Sequence, residues 1–131
     1  MGIFGKERPK GIKIALIDDE QELVAAMRGF FEPRGFLVVC AHDGLCGLKI
    51  IREEKPDIVV LDISMPEMDG RDVLLEIRKD ESIKDIPVIM LTARDEPFEV
   101  DYGIELGANA YLIKPYRARQ LIKQINTILN I

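Results

Sequence analysis

The chain has 131 residues, enough for one domain with a buried core and too few for a second catalytic domain beside it. Its 47% hydrophobic and 31% charged composition, with ten glycines and seven prolines, excludes a disordered, collagenous or coiled-coil chain. Apolar runs fall far short of the ~18 residues that cross a bilayer, no signal-type segment opens the chain, and the net charge of −5 argues against a general nucleic-acid surface, so a cytoplasmic protein is expected.

Residues 1–11 are polar, without period, and predict a flexible lead-in to a domain over 12–131. From Ile12 onward, short β-prone apolar runs alternate with longer amphipathic stretches, the pattern of an α/β fold with a parallel sheet. Five strands are predicted at 12–17, 37–40, 58–61, 87–91 and 110–113. They are apolar throughout, as strands covered on both faces must be. The first predicted helix carries Leu23, Val24, Met27, Phe30 and Phe31 on one stripe and stops near Pro33 and Gly35. The second starts at Asp43 as N-cap, runs through Leu45, Leu48 and Ile51, and ends near Lys55. The third follows Asp69-Gly70 with Val73, Leu74 and Ile77 inward. The fourth spans roughly 96–106 and ends at Gly107. The fifth carries Leu121, Ile122, Ile125, Ile128 and Leu129 on one face.

Two local features modify this frame. Past Leu106 the chain holds Lys114, Arg117, Arg119 and Lys123 without an acid, whereas Asp95, Glu96, Glu99, Asp101 and Glu105 crowd the segment before it, so a local basic patch is compatible with the negative total. Cys40 and Cys46 are too few for a disulfide framework and lack zinc-ligand spacing; both are expected to be small buried side chains.

In an open parallel sheet, ligands bind outside the carboxyl ends of the strands. The first predicted strand ends in Asp18-Asp19-Glu20, the third in Asp62, the fourth in Thr92 and the fifth in Lys114-Pro115. Strand two ends in Cys40-Ala41-His42, and His42 is read as a solvated loop residue. Carboxylates ~5 Å apart at an effective dielectric near 20 repel by about 3 kcal/mol per pair, so the edge calls for a cation. Mg2+ fits, because it takes one or two protein carboxylates and leaves positions for phosphate oxygens. Carboxylate, metal, ammonium and hydroxyl together describe a site that handles a phosphoryl group. Taken singly, an Asp at a strand end is more often a cap or turn residue, and Thr92 alone would suit the start of a helix. Five such residues on one edge are not explained by capping.

The segments Ile17-Asp18-Asp19-Glu20, Val59-Val60-Leu61-Asp62, Met65-Pro66-Glu67-Met68-Asp69-Gly70, Met90-Leu91-Thr92-Ala93 and Gly107 to Pro115, in this order and spacing, resemble the receiver domain of two-component response regulators. The likeness covers residues 12–131. It implies a flavodoxin-like doubly wound sheet of five parallel strands in the order 2-1-3-4-5, with five helices. It further implies that Asp62 is the phosphoacceptor, taking a phosphoryl group from a phosphohistidine on a sensor histidine kinase or histidine phosphotransfer protein. Asp19, Asp62 and the Ser64 main-chain carbonyl would ligate Mg2+, with Asp18 holding a metal-bound water. Lys114 would pair with a phosphoryl oxygen, and the Lys114-Pro115 bond is similar to one that is cis in the family. Thr92 would bond the phosphoryl group and Tyr111 would follow it, changing the surface of helix four, strand five and helix five for a downstream target. A half-buried aromatic with a wet hydroxyl remains the other reading of Tyr111.

With no output domain expected after the fifth helix, a single-domain regulator or a piece of a longer chain is expected, acting by protein contact without membrane or direct nucleic-acid binding. Gln120 and Gln124 stand where one branch of the family has a charged dimer pair, so a monomer or weak dimer is expected. Ser64 and Arg94 match positions where the family tunes access of hydrolytic water. Among rivals, an aspartyl-phosphate phosphatase of the haloacid dehalogenase type would need a second acid where Ser64 stands. A flavodoxin-like FMN carrier would need a glycine- and hydroxyl-rich loop in place of Asp18-Asp19-Glu20. A pseudo-receiver, signalling without phosphate, would not need Asp18, Asp19, Asp62, Thr92 and Lys114 together.

Overall fold

The computed structural model describes residues 11–93 and 107–131. β1 (Lys13–Ile17), β2 (Leu37–Ala41), β3 (Ile58–Asp62), β4 (Val88–Ala93) and β5 (Ala110–Lys114) form one parallel sheet in the order β2-β1-β3-β4-β5. Between them run α1 (Gln21–Phe31), α2 (Gly44–Glu54) and α3 (Gly70–Lys79), and a C-terminal helix (Ala118–Leu129) follows β5. The predicted helix at 96–106 and Arg94 lie outside the described residues.

Both faces of the sheet are covered because successive strand residues point opposite ways. Ala15 and Ile17, Val59 and Leu61, and Val88 and Met90 pack with Leu48 and Ile51 of α2 and with Val73, Leu74 and Ile77 of α3. Their sequence neighbours Ile14 and Leu16, Ile58 and Val60, and Ile89 and Leu91 pack with Val24, Met27 and Phe31 of α1 and with Leu121 and Ile125 of the C-terminal helix. The sheet is thus doubly wound, as the unbroken apolar strands require.

The helix boundaries follow local chemistry. Asp43 caps α2 by accepting from the Cys46 N–H at 2.8 Å, and Asp69 caps α3 by accepting from the Arg71 N–H at 2.8 Å. α1 passes into a 3-10 turn, Glu32–Arg34, closed by Gly35 at φ 94°, where only glycine is unstrained. The C-terminal helix starts at Arg117, whose N–H donates to the Gln120 side chain at 2.7 Å, so Gln120 serves as a cap. Among the described residues no helix is long and apolar enough to cross a membrane.

Three expectations are corrected. β2 through β5 each run one or two residues past the predicted ends, because pairing of Asp62 with Leu91, Thr92 with Ile113 and Ala93 with Lys114 continues after the apolar run stops. Leu45 is 67% exposed: α2 buries Gly44 against Met68 and turns Gly47, set against Ile17, with Leu48 and Ile51 toward the sheet, and Leu45 lies outside that face. Cys46 is likewise exposed and Cys40 only half-buried, so neither is the buried apolar side chain expected.

Candidate functional site

The strand extensions carry the polar residues to the carboxyl edge. Asp62 is the last residue of the central strand β3, with Asp18 just beyond neighbouring β1, and each is 3% exposed. Thr92, on β4, is 2% exposed and donates its hydroxyl to the Ala93 carbonyl at 3.4 Å. Lys114 closes β5 ahead of a cis peptide bond to Pro115.

Lys114 crosses the edge to the acids. Its Nζ lies 2.6 Å from Glu20 Oε1, 2.9 Å from Asp18 Oδ2 and 3.3 Å from Asp62 Oδ2. The Ser64 N–H donates to Asp62 Oδ1 at 3.2 Å, and the Glu20 N–H donates to Asp18 Oδ1 at 2.9 Å. Burial, and then the Asp18 charge, push the Asp62 carboxyl up to about 7, against the pull of Lys114 and the Ser64 amide. Burial works against the Lys114 ammonium, yet Glu20 and Asp18, and then the Asp62 charge, hold it above the ordinary lysine range. An Asp pushed toward neutrality by burial and a like charge, beside a firmly charged ammonium, marks a candidate functional site.

Of the predicted site residues, Asp18, Asp62 and Lys114 meet directly, and Ser64 joins through its main chain. Asp19 is exposed, and the carboxylate that joins Asp18 and Asp62, with oxygens within 4.8 Å of one another, belongs to Glu20. This all-oxygen set suits a hard divalent cation. Tyr111 is half-buried and pairs in register with Met90, which places it on the same face of the sheet as Thr92 two residues further on.

Two further residues border the site without having been assigned to it. Tyr116 lines a small pocket together with Asp18, and burial, with the Asp18 charge next, pushes its phenol up to about 12. With Glu20, Leu23, Ala93, Lys114 and Pro115 it also lines a cavity of about 300 Å³ at the mouth of the site. The only sequence signal for Tyr116 is its place two residues after Lys114. His42 is exposed as expected, but its Nδ1 lies 3.0 Å from the Asp18 carbonyl oxygen, so it borders the acidic edge.

The family model of the response regulator receiver domain matches residues 14–126. The chain belongs to that family. Among curated proteins, the receiver domain is 38% identical over 117 residues to the alkaline phosphatase synthesis transcriptional regulatory protein PhoP of Bacillus subtilis. That match takes in 89% of this chain and 48% of PhoP, so the receiver domain spans about half the length of this relative. Among solved structures, it is similar to a response regulator receiver domain protein from Clostridium thermocellum, at 33% identity and a TM-score of 0.83, covering 90% of this chain and 94% of that one. The Francisella response regulator 1452 receiver domain matches at 30% identity and a TM-score of 0.82, covering 90% and 96%. The Vibrio cholerae chemotaxis protein CheY4 matches at 25% and 0.84, covering 90% and 98%. Receiver domains of response regulators are signalling modules that interact with sensor kinases and downstream effectors.

Proposed function

We propose that Asp62 of this receiver domain is a phosphoacceptor, loaded from a phosphohistidine on a sensor histidine kinase or histidine phosphotransfer protein. The observation that carries this reading is the buried Asp62 carboxyl at the centre of the sheet edge, with the Lys114 ammonium at 3.3 Å and the Asp18 carboxylate beside it. In the transfer, an Asp62 carboxylate oxygen forms the new bond to phosphorus while the phosphorus–nitrogen bond breaks, and its electron pair returns to the imidazole, which takes up a proton. Lys114 neutralises charge on the phosphoryl oxygens, and the Ser64 N–H holds Asp62 in position. Asp18, Asp19 and Asp62, with the Ser64 carbonyl, would hold Mg2+; the convergence of Asp18 and Asp62 oxygens, with Glu20 beside them, supports the place of those two acids in the set. When bound, the ion supplies charge neutralisation between carboxylate and phosphoryl oxygens.

Phosphorylation adds about −1.5 to −2 charges in place of one carboxylate. The Thr92 hydroxyl, given among the described residues to its neighbour's carbonyl at 3.4 Å, is a donor for the new oxygens, and Tyr111 on the same face would follow. The surface around β5 and the C-terminal helix would then change toward a downstream target. Arg117, Arg119 and Lys123 are exposed along the start of that helix. The domain proposed for this work is residues 12–131, acting in the cytoplasm as a monomer or weak dimer, by protein contact rather than direct nucleic-acid binding.

Acetyl phosphate with Mg2+ tests the reading. Intact-mass spectrometry is expected to find one hydroxylamine-labile phosphoryl group on the unmutated protein and none on Asp62→Asn; no gain on the unmutated protein would overturn it.

A further inference from the structure

We propose that Glu20 is a positioning residue that tethers the Lys114 ammonium while Asp62 is unphosphorylated, a role that rests on the phosphoacceptor reading above. Glu20 occupies the N-cap position of α1 with an extended backbone, φ −81° and ψ 91°. A side chain there ordinarily accepts a hydrogen bond from the first turn of its own helix, as Asp43 and Asp69 do for α2 and α3. Glu20 makes no such bond. It reaches instead across the sheet edge to a lysine 94 positions away, and its 2.6 Å contact is the shortest of the three ion pairs that Lys114 makes among the described residues.

The main chain fixes this aim. The Glu20 N–H is held by Asp18 Oδ1 at 2.9 Å, so the turn that sends its side chain toward Lys114 is anchored on one of the buried acids. The three anions differ in hydration: the Glu20 side chain is 59% exposed, whereas those of Asp18 and Asp62 are 4% and 5%. An ammonium held at Glu20 stays paired at a hydrated carboxylate, so its contacts with the two buried oxygens that a cation and a phosphoryl group need, at 2.9 and 3.3 Å, are shared rather than exclusive. When Asp62 carries phosphate, Lys114 exchanges the Glu20 oxygen for a phosphoryl oxygen, trading one ion pair for another.

Glu20 oxygens also lie within 4.8 Å of those of Asp18 and Asp62, so a direct metal ligand is the competing role, and the experiment separates the two. The first readout needs no metal. In protein with 15N-labelled lysine, the Lys114 Nζ protons are expected to exchange slowly with water, and to exchange fast in both Glu20→Gln and Glu20→Asp. The aspartate keeps the charge but is one methylene too short. Glu20→Asp matching the unmutated protein would overturn the tether in favour of a through-space charge effect. The second readout is Mg2+ affinity by calorimetry in a double-mutant cycle. Glu20→Gln is expected to weaken Mg2+ binding about threefold alone and to have no measurable effect in a Lys114→Met background. An undiminished loss in that background would make Glu20 a metal ligand and overturn the proposal. Were acetyl phosphate to leave the unmutated protein unlabelled, the phosphoacceptor reading would fall, while the lysine exchange rates would still decide the tether.

Discussion

Gly70 rests on the main chain of Asp62: a β-carbon there would lie 2.3 Å from the Asp62 carbonyl oxygen and 2.8 Å from the Ile63 Cα. Both obstacles are backbone, and the Gly70 N–H is itself bound to the Ile63 carbonyl at 2.9 Å, so neither side can yield cheaply. Gly70→Ala is therefore expected to cost about 2–3 kcal/mol of stability. Because the strain falls on the residue that carries the acceptor, labelling by acetyl phosphate should also slow. Urea unfolding and a labelling time course check both; full stability would mean that α3 moves freely away from β3.

Asp62 makes the metal-free protein sensitive to pH. Its carboxyl titrates at about 7 in the folded chain, above the ordinary aspartate range, because it is buried beside Asp18. The folded state keeps this proton to higher pH than the unfolded state does, so stability falls as pH rises from about 4 through 7. Asp62→Asn is expected to flatten that slope and to stabilise the protein by about 1–2 kcal/mol at pH 8, after discounting for residual solvation and the nearby ammonium. Thermal melts in a chelator across that range test it, and an equal slope in both proteins would count against a neutral-titrating Asp62.

Lys114 balances that charge, so its loss should act in the opposite direction. Lys114→Ala leaves Asp18 and Asp62 facing each other, both buried. We expect a destabilisation of about 2 kcal/mol above pH 7 that shrinks toward pH 5 as Asp62 takes a proton. The Asp62 carboxyl, followed by 13C NMR, should titrate higher in the variant. An unmoved titration would show that the ammonium contributes little to the field at the acceptor.

Arg78 ties the end of α3 to two loops. Its guanidinium donates to the Gly107 carbonyl at 2.7 Å, the Lys84 carbonyl at 2.9 Å, the Ile86 carbonyl at 2.8 Å and Asn109 Oδ1 at 3.1 Å. Asn109 Oδ1 in turn accepts from the Val88 N–H at the start of β4. A lysine carries the same charge but cannot span four acceptors with one point donor. Arg78→Lys is expected to cost about 2 kcal/mol and to speed hydrogen exchange at the Val88 amide. Unchanged exchange there would show that Asn109 holds β4 without the guanidinium.

Much of this molecule follows from spacing along the chain. The strand centres and the inward faces of α1, α3 and the C-terminal helix are legible because each element repeats its apolar residues at the period of its own geometry. The departures have two causes: Leu45 fits the helical spacing of α2, yet the helix approaches the sheet through Gly47, set against Ile17, a contact that composition does not announce. Cys46 is displaced outward by the same rotation. The strands outrun their apolar runs because a ladder continues wherever its partner continues, whether or not the next residue is apolar.

The sequence by itself determined the α/β architecture, the receiver-domain likeness, and the delivery of Asp18, Asp62, Thr92 and Lys114 to one edge, since each follows from local pattern or from position at a strand end. Only the tertiary structure decided which acids meet the lysine, that Tyr116 shares a pocket with Asp18, and that Asp62 is buried deeply enough to titrate near 7. These depend on how side chains turn within a single tight bend and on approaches between residues as many as 94 positions apart, for which no periodicity in the chain carries a signal.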